Sequence, residues 1–212
     1  METDKLPRPQ VVLFDYGGVL AEEGFTAGLQ AIGVANGLEP ELFFHQATEI
    51  IYACGYVIGK GTAADFWHLV RRELAIQGSD DELSNEILSR FILRQGMLNK
   101  VRAIKGQGIR TAILSDQTNW LDLLDRRDNF LVEFDPVMNS YYLGRTKRDS
   151  ATFNEALRIL AARPEQVLFV DDNQGHIDRA AKLGLQTHLF TTEAAFGREL
   201  PNRGIIPTTK DR

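Results

Sequence analysis

Three short apolar runs in this chain each end on an acidic or hydroxyl residue. Val11 to Phe14 runs into Asp15, with Gly17 and Gly18 just beyond. Thr111 to Leu114 runs into Ser115 and Asp116, and Val167 to Val170 into Asp171 and Asp172. Continuous apolar stretches of this length are the pattern of strands buried on both faces. A fourth run, Leu185 to Phe190, follows Gly184. Before the second and third runs the period becomes helical. Met97, Val101 and Ile104 share a face ahead of Gly106 and Gly108, and Phe153, Ala156, Leu157 and Leu160 do so ahead of Pro164. Alternating helix and strand with short connections predicts an α/β fold with a mostly parallel sheet. Ligands of such sheets bind beyond the carboxyl ends of the strands, where Asp15, Ser115, Asp171 and Asp172 all stand.

Residues 21–93 follow another pattern, with helical segments and no run of strands. Thr26 is expected to open one helix, and Pro40 suits the first turn of another. Thr62-Ala-Ala-Asp65 resembles a capping signal, and Ser79 or Asp80 starts a last helix whose Leu83, Ile87 and Phe91 line one face. The expected division is a core of residues 1–20 and 94–212, with 21–93 inserted as a helical cap over the sheet edge. Pro201 to Arg212 reads as a loosely held tail.

Of the 212 residues, 43% are hydrophobic and 25% charged, the profile of a soluble globular protein. A net charge of −5 without a basic block argues against nucleic acid or an anionic membrane as partner. No apolar run approaches a membrane span. Small anionic substrates stay open, because one lysine and a metal ion reverse the field locally. The single cysteine, Cys54, excludes an intramolecular disulfide and a cysteine metal site, and reads as an apolar filler. The opening METDKLPRPQ lacks the apolar centre of a signal peptide, so the expected location is cytoplasmic. A monomer or homodimer is expected.

A strand ending in aspartate is common without catalysis, but the Asp171–Asp172 doublet is harder to dismiss, since adjacent buried like charges destabilise each other without a cation. Four stretches together resemble the haloacid dehalogenase superfamily. Phe14-Asp15-Tyr16-Gly17-Gly18-Val19-Leu20 is similar to its first motif, and Ser115 after Ala112-Ile113-Leu114 to its second. Ser140-x-x-x-Gly144-x-x-Lys147 has the spacing of the third, and Val167-Leu-Phe-Val-Asp171-Asp172-Asn173 resembles the fourth. They occur in the right order over residues 11–190. The insertion resembles the small helical cap of the branch holding haloacid dehalogenases and many sugar-phosphate phosphatases.

The resemblance implies a three-layer, Rossmann-like core and a Mg2+-dependent phosphatase of a small phosphorylated metabolite. Asp15 would be the nucleophile. Mg2+ would be held by Asp15, Asp171 and Asp172 with a backbone carbonyl near Gly17, an oxygen set suited to a hard cation. Ser115 would donate to a phosphoryl oxygen, Lys147 would offset charge, and Asp116 would stand at the substrate-binding strand end, orienting backbone amides. One departure matters. The family's phosphatases usually carry a second aspartate two residues after the nucleophile, as general acid and base, and here that residue is Gly17. Losing such a proton donor costs a factor of about 100 to 10,000, most for alkoxide leaving groups. On this basis Gly17→Asp is expected to raise turnover of sugar phosphates. The candidates for a substitute acid are Asp116, which reads rather as orienting backbone amides, and Glu22 and Glu23, which could reach the site from the hinge region but read rather as a solvated face.

Two alternatives remain at this point. A 2-haloacid dehalogenase-like hydrolase needs no proton donor for halide, but the family's cap arginine has no counterpart between Arg8 and Arg71. A catalytically weak regulator that binds a phospho-ligand does not need nucleophile, lysine and metal carboxylates together. His45 and His68 are expected in packing or surface positions, His176 and His188 in structural ones. Phe43, Phe44, Phe66 and Trp67 are expected in the cap core, while Tyr16 either lines the pocket or points away from it.

Overall fold

In the computed structural model, which describes residues 7–205, five parallel strands form one sheet. The strands are β1 (Val11–Phe14), β2 (Arg110–Ser115), β3 (Val137–Asn139), β4 (Val167–Asp171) and β5 (Gln186–Leu189), in the spatial order β3-β2-β1-β4-β5. The helices are α1 (Gly24–Ala35), α2 (Pro40–Ala53), α3 (Ala63–Leu74), α4 (Asp80–Leu88) and α5 (Gln95–Lys105), then α6 (Trp120–Asp128), α7 (Ser140–Leu143), α8 (Ala151–Leu160), α9 (Gln174–Lys182) and α10 (Glu193–Asn202). This is the expected α/β, Rossmann-like architecture. No helix among the described residues is long and apolar enough to cross a membrane.

The two faces of β1 are buried under different layers, as alternation requires. Val12 and Phe14 pack with α5, α6 and α10, whose Val101, Leu124 and Phe196 are buried. Val11 and Leu13 face the other way, into a cluster with Phe153 and Leu160 of α8 and Ile177 and Ala180 of α9. Parallel pairing sets Phe14 level with Ile113 of β2 and with Val170 of β4. The Asp15 N–H then bonds the Val170 carbonyl at 2.9 Å. The residues one step further along, Asp15 and Asp171, therefore lie side by side at the carboxyl edge.

Between β1 and α5 the chain forms only helices and turns. Local signals explain their limits. Pro40 occupies the first turn of α2, and reciprocal capping boxes fix the starts of α3 (Thr62 with Asp65) and α4 (Ser79 with Glu82). The segment leaves and rejoins the core at one place, where Ala21 pairs with Leu93 and the Arg94 N–H bonds the Leu20 carbonyl at 2.8 Å.

Three expectations need correction. The first inserted helix opens at Gly24, not Thr26, because the Glu23 side chain accepts the Thr26 N–H and so caps it. Phe91 lies beyond the end of α4, although it is fully buried. Pro201–Ile205 is not a loose tail, since α10 runs to Asn202 and the buried Leu200 and Ile205 anchor it. Residues 206–212 of that expected tail lie outside the described residues. The strand β3, only three residues long, gave no apolar run to find.

Candidate active site

Every strand that ends in a functional type delivers it to the same edge. Asp15 is buried just past β1, and its Oδ1 accepts the Tyr16 N–H at 2.7 Å. Lys147 arrives from the loop after α7, which turns through Gly144 in the left-handed region (φ 69°). Its neighbours Arg145 and Arg148 are exposed, but Lys147 is 0% exposed. The ammonium Nζ lies 2.8 Å from Asp15 Oδ2 and 2.6 Å from Asp171 Oδ2. The Lys147 N–H also donates to both oxygens of Asp116, at 2.9 and 3.1 Å. Asp116 thereby fixes the loop from which the lysine extends.

The acidic doublet divides by surroundings. Asp171 is fully buried and held by Lys147, by the Asn173 N–H at 2.8 Å, and by His176 Nδ1 at 3.3 Å from both oxygens. Among the described residues, no hydrogen bond or ion pair restrains the Asp172 carboxylate. It lies against Gly18 (φ 75°), where any Cβ would overlap it. Oxygens of Asp15, Asp171 and Asp172 all lie within 4.8 Å of one another. One ammonium among three carboxylates leaves an excess of negative charge that a divalent cation would balance, and an all-oxygen donor set fits Mg2+.

Electrostatics follow from burial. Burial pushes the Asp15 carboxyl well above the usual range, against the pull of Lys147 and with the push of Asp171 and Asp172. Burial alone would also raise Asp171, but the Lys147 and His176 charges hold it well below the carboxylate range. Burial works against the Lys147 ammonium, yet Asp15, Asp171 and Asp116 hold its pKa above that of an ordinary lysine. Asp116 and Asp172 are raised, chiefly by burial.

These groups open onto a cavity of about 530 Å³ between the sheet edge and the inserted helices, a size usual for a small-molecule site. Asp15, Gly17, Ser115, Asp116, Lys147 and Asp172 line it. Phe25, Phe44 and Ile51 of the inserted helices line its far side. Several polar contacts close the insertion onto the core, among them Arg127 to the Leu88 carbonyl at 2.9 Å and Arg148 to Glu49 at 3.4 Å. The Tyr56 hydroxyl donates to Asn119 Oδ1 at 2.6 Å, and Ser140 Oγ lies 2.9 Å from the Val57 carbonyl.

Several side chains depart from the sequence expectation. Glu23 is not on a solvated face, since it is half-buried and lines the cavity, whereas Glu22 is 56% exposed and pairs with Arg94 at 2.7 Å. His176 also lines the cavity and touches Asp171, so its place is not merely structural. Phe44 and His45 line it too, while Phe43, Phe66 and Trp67 are buried core. Tyr16 points away, stacked on Phe130 at 4.9 Å. The signal that could have separated Glu23 from Glu22 is the cap spacing to Thr26, three residues on.

Comparison with known proteins identifies the family. The profile of the haloacid dehalogenase-like hydrolases matches residues 9–184. Bifunctional epoxide hydrolase 2 of Mus musculus is 29% identical over 129 residues, 58% of this chain but only 23% of that protein. The matched stretch is thus about a quarter of that relative's length. Among solved structures, a haloacid dehalogenase family enzyme of Bacteroides thetaiotaomicron superposes with a TM-score of 0.71 at 21% identity, covering 86% of this chain and 94% of that one. That enzyme has also been crystallised with magnesium and inorganic phosphate. The L-2-haloacid dehalogenase of Xanthobacter autotrophicus superposes with a TM-score of 0.64 at 16% identity, over 94% and 85% of the two chains. Motifs, fold and matched profile converge, and the chain belongs to the haloacid dehalogenase-like hydrolases.

Proposed function

We propose that this hydrolase is a Mg2+-dependent phosphatase of a small phosphorylated metabolite, with Asp15 as nucleophile. One observation carries this: three carboxylates gather within 4.8 Å of one another around a buried lysine at a cavity wall. A divalent cation among these carboxylates answers a need of phosphoryl transfer, in which an anionic nucleophile must meet an anionic phosphoryl group, whereas halide displacement at carbon needs no such neutralisation. The Bacteroides relative, crystallised with magnesium and phosphate, supports the same assignment. Residues 21–93 serve as the cap over the site.

Asp15, Asp171 and Asp172 would hold the ion, with a backbone carbonyl near Gly17, and Asp171 also fixes Lys147. When bound, Mg2+ supplies neutralisation between the Asp15 carboxylate and an incoming phosphoryl group. Asp15 attacks phosphorus and forms an aspartyl-phosphate, which divides one hard displacement into two easier ones. Lys147 offsets charge as the anions approach, and Ser115 donates to a phosphoryl oxygen. Phe25, Phe44 and Ile51 cover the body of the substrate and exclude bulk water.

The test is hydrolysis of an activated aryl phosphate with and without Mg2+. Turnover that requires the metal and falls to background in Asp15→Asn supports the assignment. Halide release from a 2-haloacid without metal would instead identify a dehalogenase, and tight phospho-ligand binding without turnover a regulator.

A further inference from the structure

An ideal Cβ on Gly17 would lie 2.6 Å from Glu23 Oε2 and 3.3 Å from Phe91 Cε1. The space an aspartate at this position would need is thus already taken by another carboxylate. Glu23 is held there from the first turn of α1, where its Oε1 accepts the Thr26 N–H at 3.2 Å. The remaining oxygen, Oε2, faces Gly17 and the cavity that Asp15, Lys147 and Asp172 also line. Glu23 is not one of the three carboxylates gathered within 4.8 Å, so it stands beside that cluster rather than in it.

We propose that Glu23 is the proton-transfer residue of this enzyme, doing from the inserted segment what the family's second aspartate does from the sheet. This rests on the phosphatase assignment above. In the first half-reaction an Asp15 oxygen bonds phosphorus and the bond to the leaving oxygen breaks. The leaving oxygen keeps the electron pair and takes the proton of the Glu23 carboxyl. In the second, water attacks phosphorus and gives its proton to the Glu23 carboxylate, and the Asp15–phosphorus bond breaks with its pair returning to Asp15. The acid is restored, and ester plus water has become alcohol plus phosphate.

The capping role is separable from the chemical one, because glutamine can accept the Thr26 N–H but carries no acidic proton. The experiment compares wild type, Glu23→Gln and the double variant Gly17→Asp/Glu23→Ala, with Mg2+, on an aryl phosphate and on an alkyl phosphate. Glu23→Gln is expected to lower kcat on the alkyl ester by about 100-fold or more and on the aryl ester by less than about tenfold. The double variant, with the space around position 17 cleared, regains at least about tenfold of the alkyl loss. Mg2+ affinity by calorimetry stays within about twofold in Glu23→Gln. Equal losses on both esters, no loss on either, or a parallel loss of Mg2+ affinity overturns the assignment of Glu23 and leaves the phosphatase standing. Wild type without Mg2+-dependent turnover of either ester removes both.

Discussion

At the scale of single residues, the site concentrates unfavourable charge where chemistry needs it. Asp15 is buried beside two other carboxylates and one ammonium. Its raised pKa has a definite sign in stability. Below about pH 4 the group is largely protonated folded and unfolded and costs little; as pH rises from there toward its elevated folded value, the unfolded chain ionises freely while the folded carboxyl holds its proton, and stability falls. Cation-free Asp15→Asn should therefore melt above wild type at pH 8, by a few degrees, given that about 1 kcal/mol moves Tm by roughly 2–4 °C at this size. The gap should shrink at pH 5 and on adding Mg2+, as thermal melts with chelator or metal will show. A variant no more stable than wild type at pH 8 would mean that Lys147 alone offsets the cluster. Residue chemistry was well legible in sequence where it adjoined an apolar run: Ser115 and Asp171 close strands, and Asp15 and Asp172 follow them directly. Glu23 was not, because Glu22 and Glu23 are identical in type and only the turn into α1 sends one to solvent and the other into the cavity.

At the scale of elements, short local signals fix boundaries and long-range packing fixes the rest. The capping boxes of α3 and α4 could be read from four residues each, and both form. Ser79→Ala removes the acceptor for the Glu82 N–H and should cost about 1 kcal/mol, lowering Tm by roughly 2–4 °C without altering kcat. Thermal melting alongside an aryl phosphate assay checks both halves of that statement. The strand β3 and the end of α10 show where such signals stop. Three residues of β3 carry no period of their own, and pairing with β2 makes them a strand. Leu200 and Ile205 become core only because the sheet presents a face for α10 to cover.

At the scale of the whole molecule, the cavity exists because two bodies of chain meet: a sheet edge that carries acidic groups and a set of helices that carries aromatic ones. Several polar contacts fasten them, the Arg127 guanidinium on the Leu88 carbonyl and Arg148 on Glu49 included. The Tyr56 hydroxyl to Asn119 is one, and the Ser140 hydroxyl to the Val57 carbonyl is another. Tyr56→Phe deletes the first and leaves the ring packing in place. Loss of one such bond should destabilise by only about 1 kcal/mol. Its larger effect should be a raised KM with kcat nearly preserved, as steady-state kinetics on the aryl phosphate will show; an unchanged KM would mean that closure does not depend on this bond. The parallel core was legible from alternating periods. The cavity's aromatic wall was not, since Phe43 and Phe44 differ by one position and only helix packing turns Phe44 inward.

The single junction at Ala21 and Leu93 has a further consequence. Because the inserted helices depart from and return to the sheet side by side, their sequence can drift, or be exchanged in a chimera, with little strain passed to the strands below. Glu23 lies just inside that junction. Transplanting another roof onto this sheet would remove Glu23 and leave Gly17 without the carboxylate that now faces it, so under the proposal above an exchange of the inserted segment would change substrate range and acid–base chemistry together.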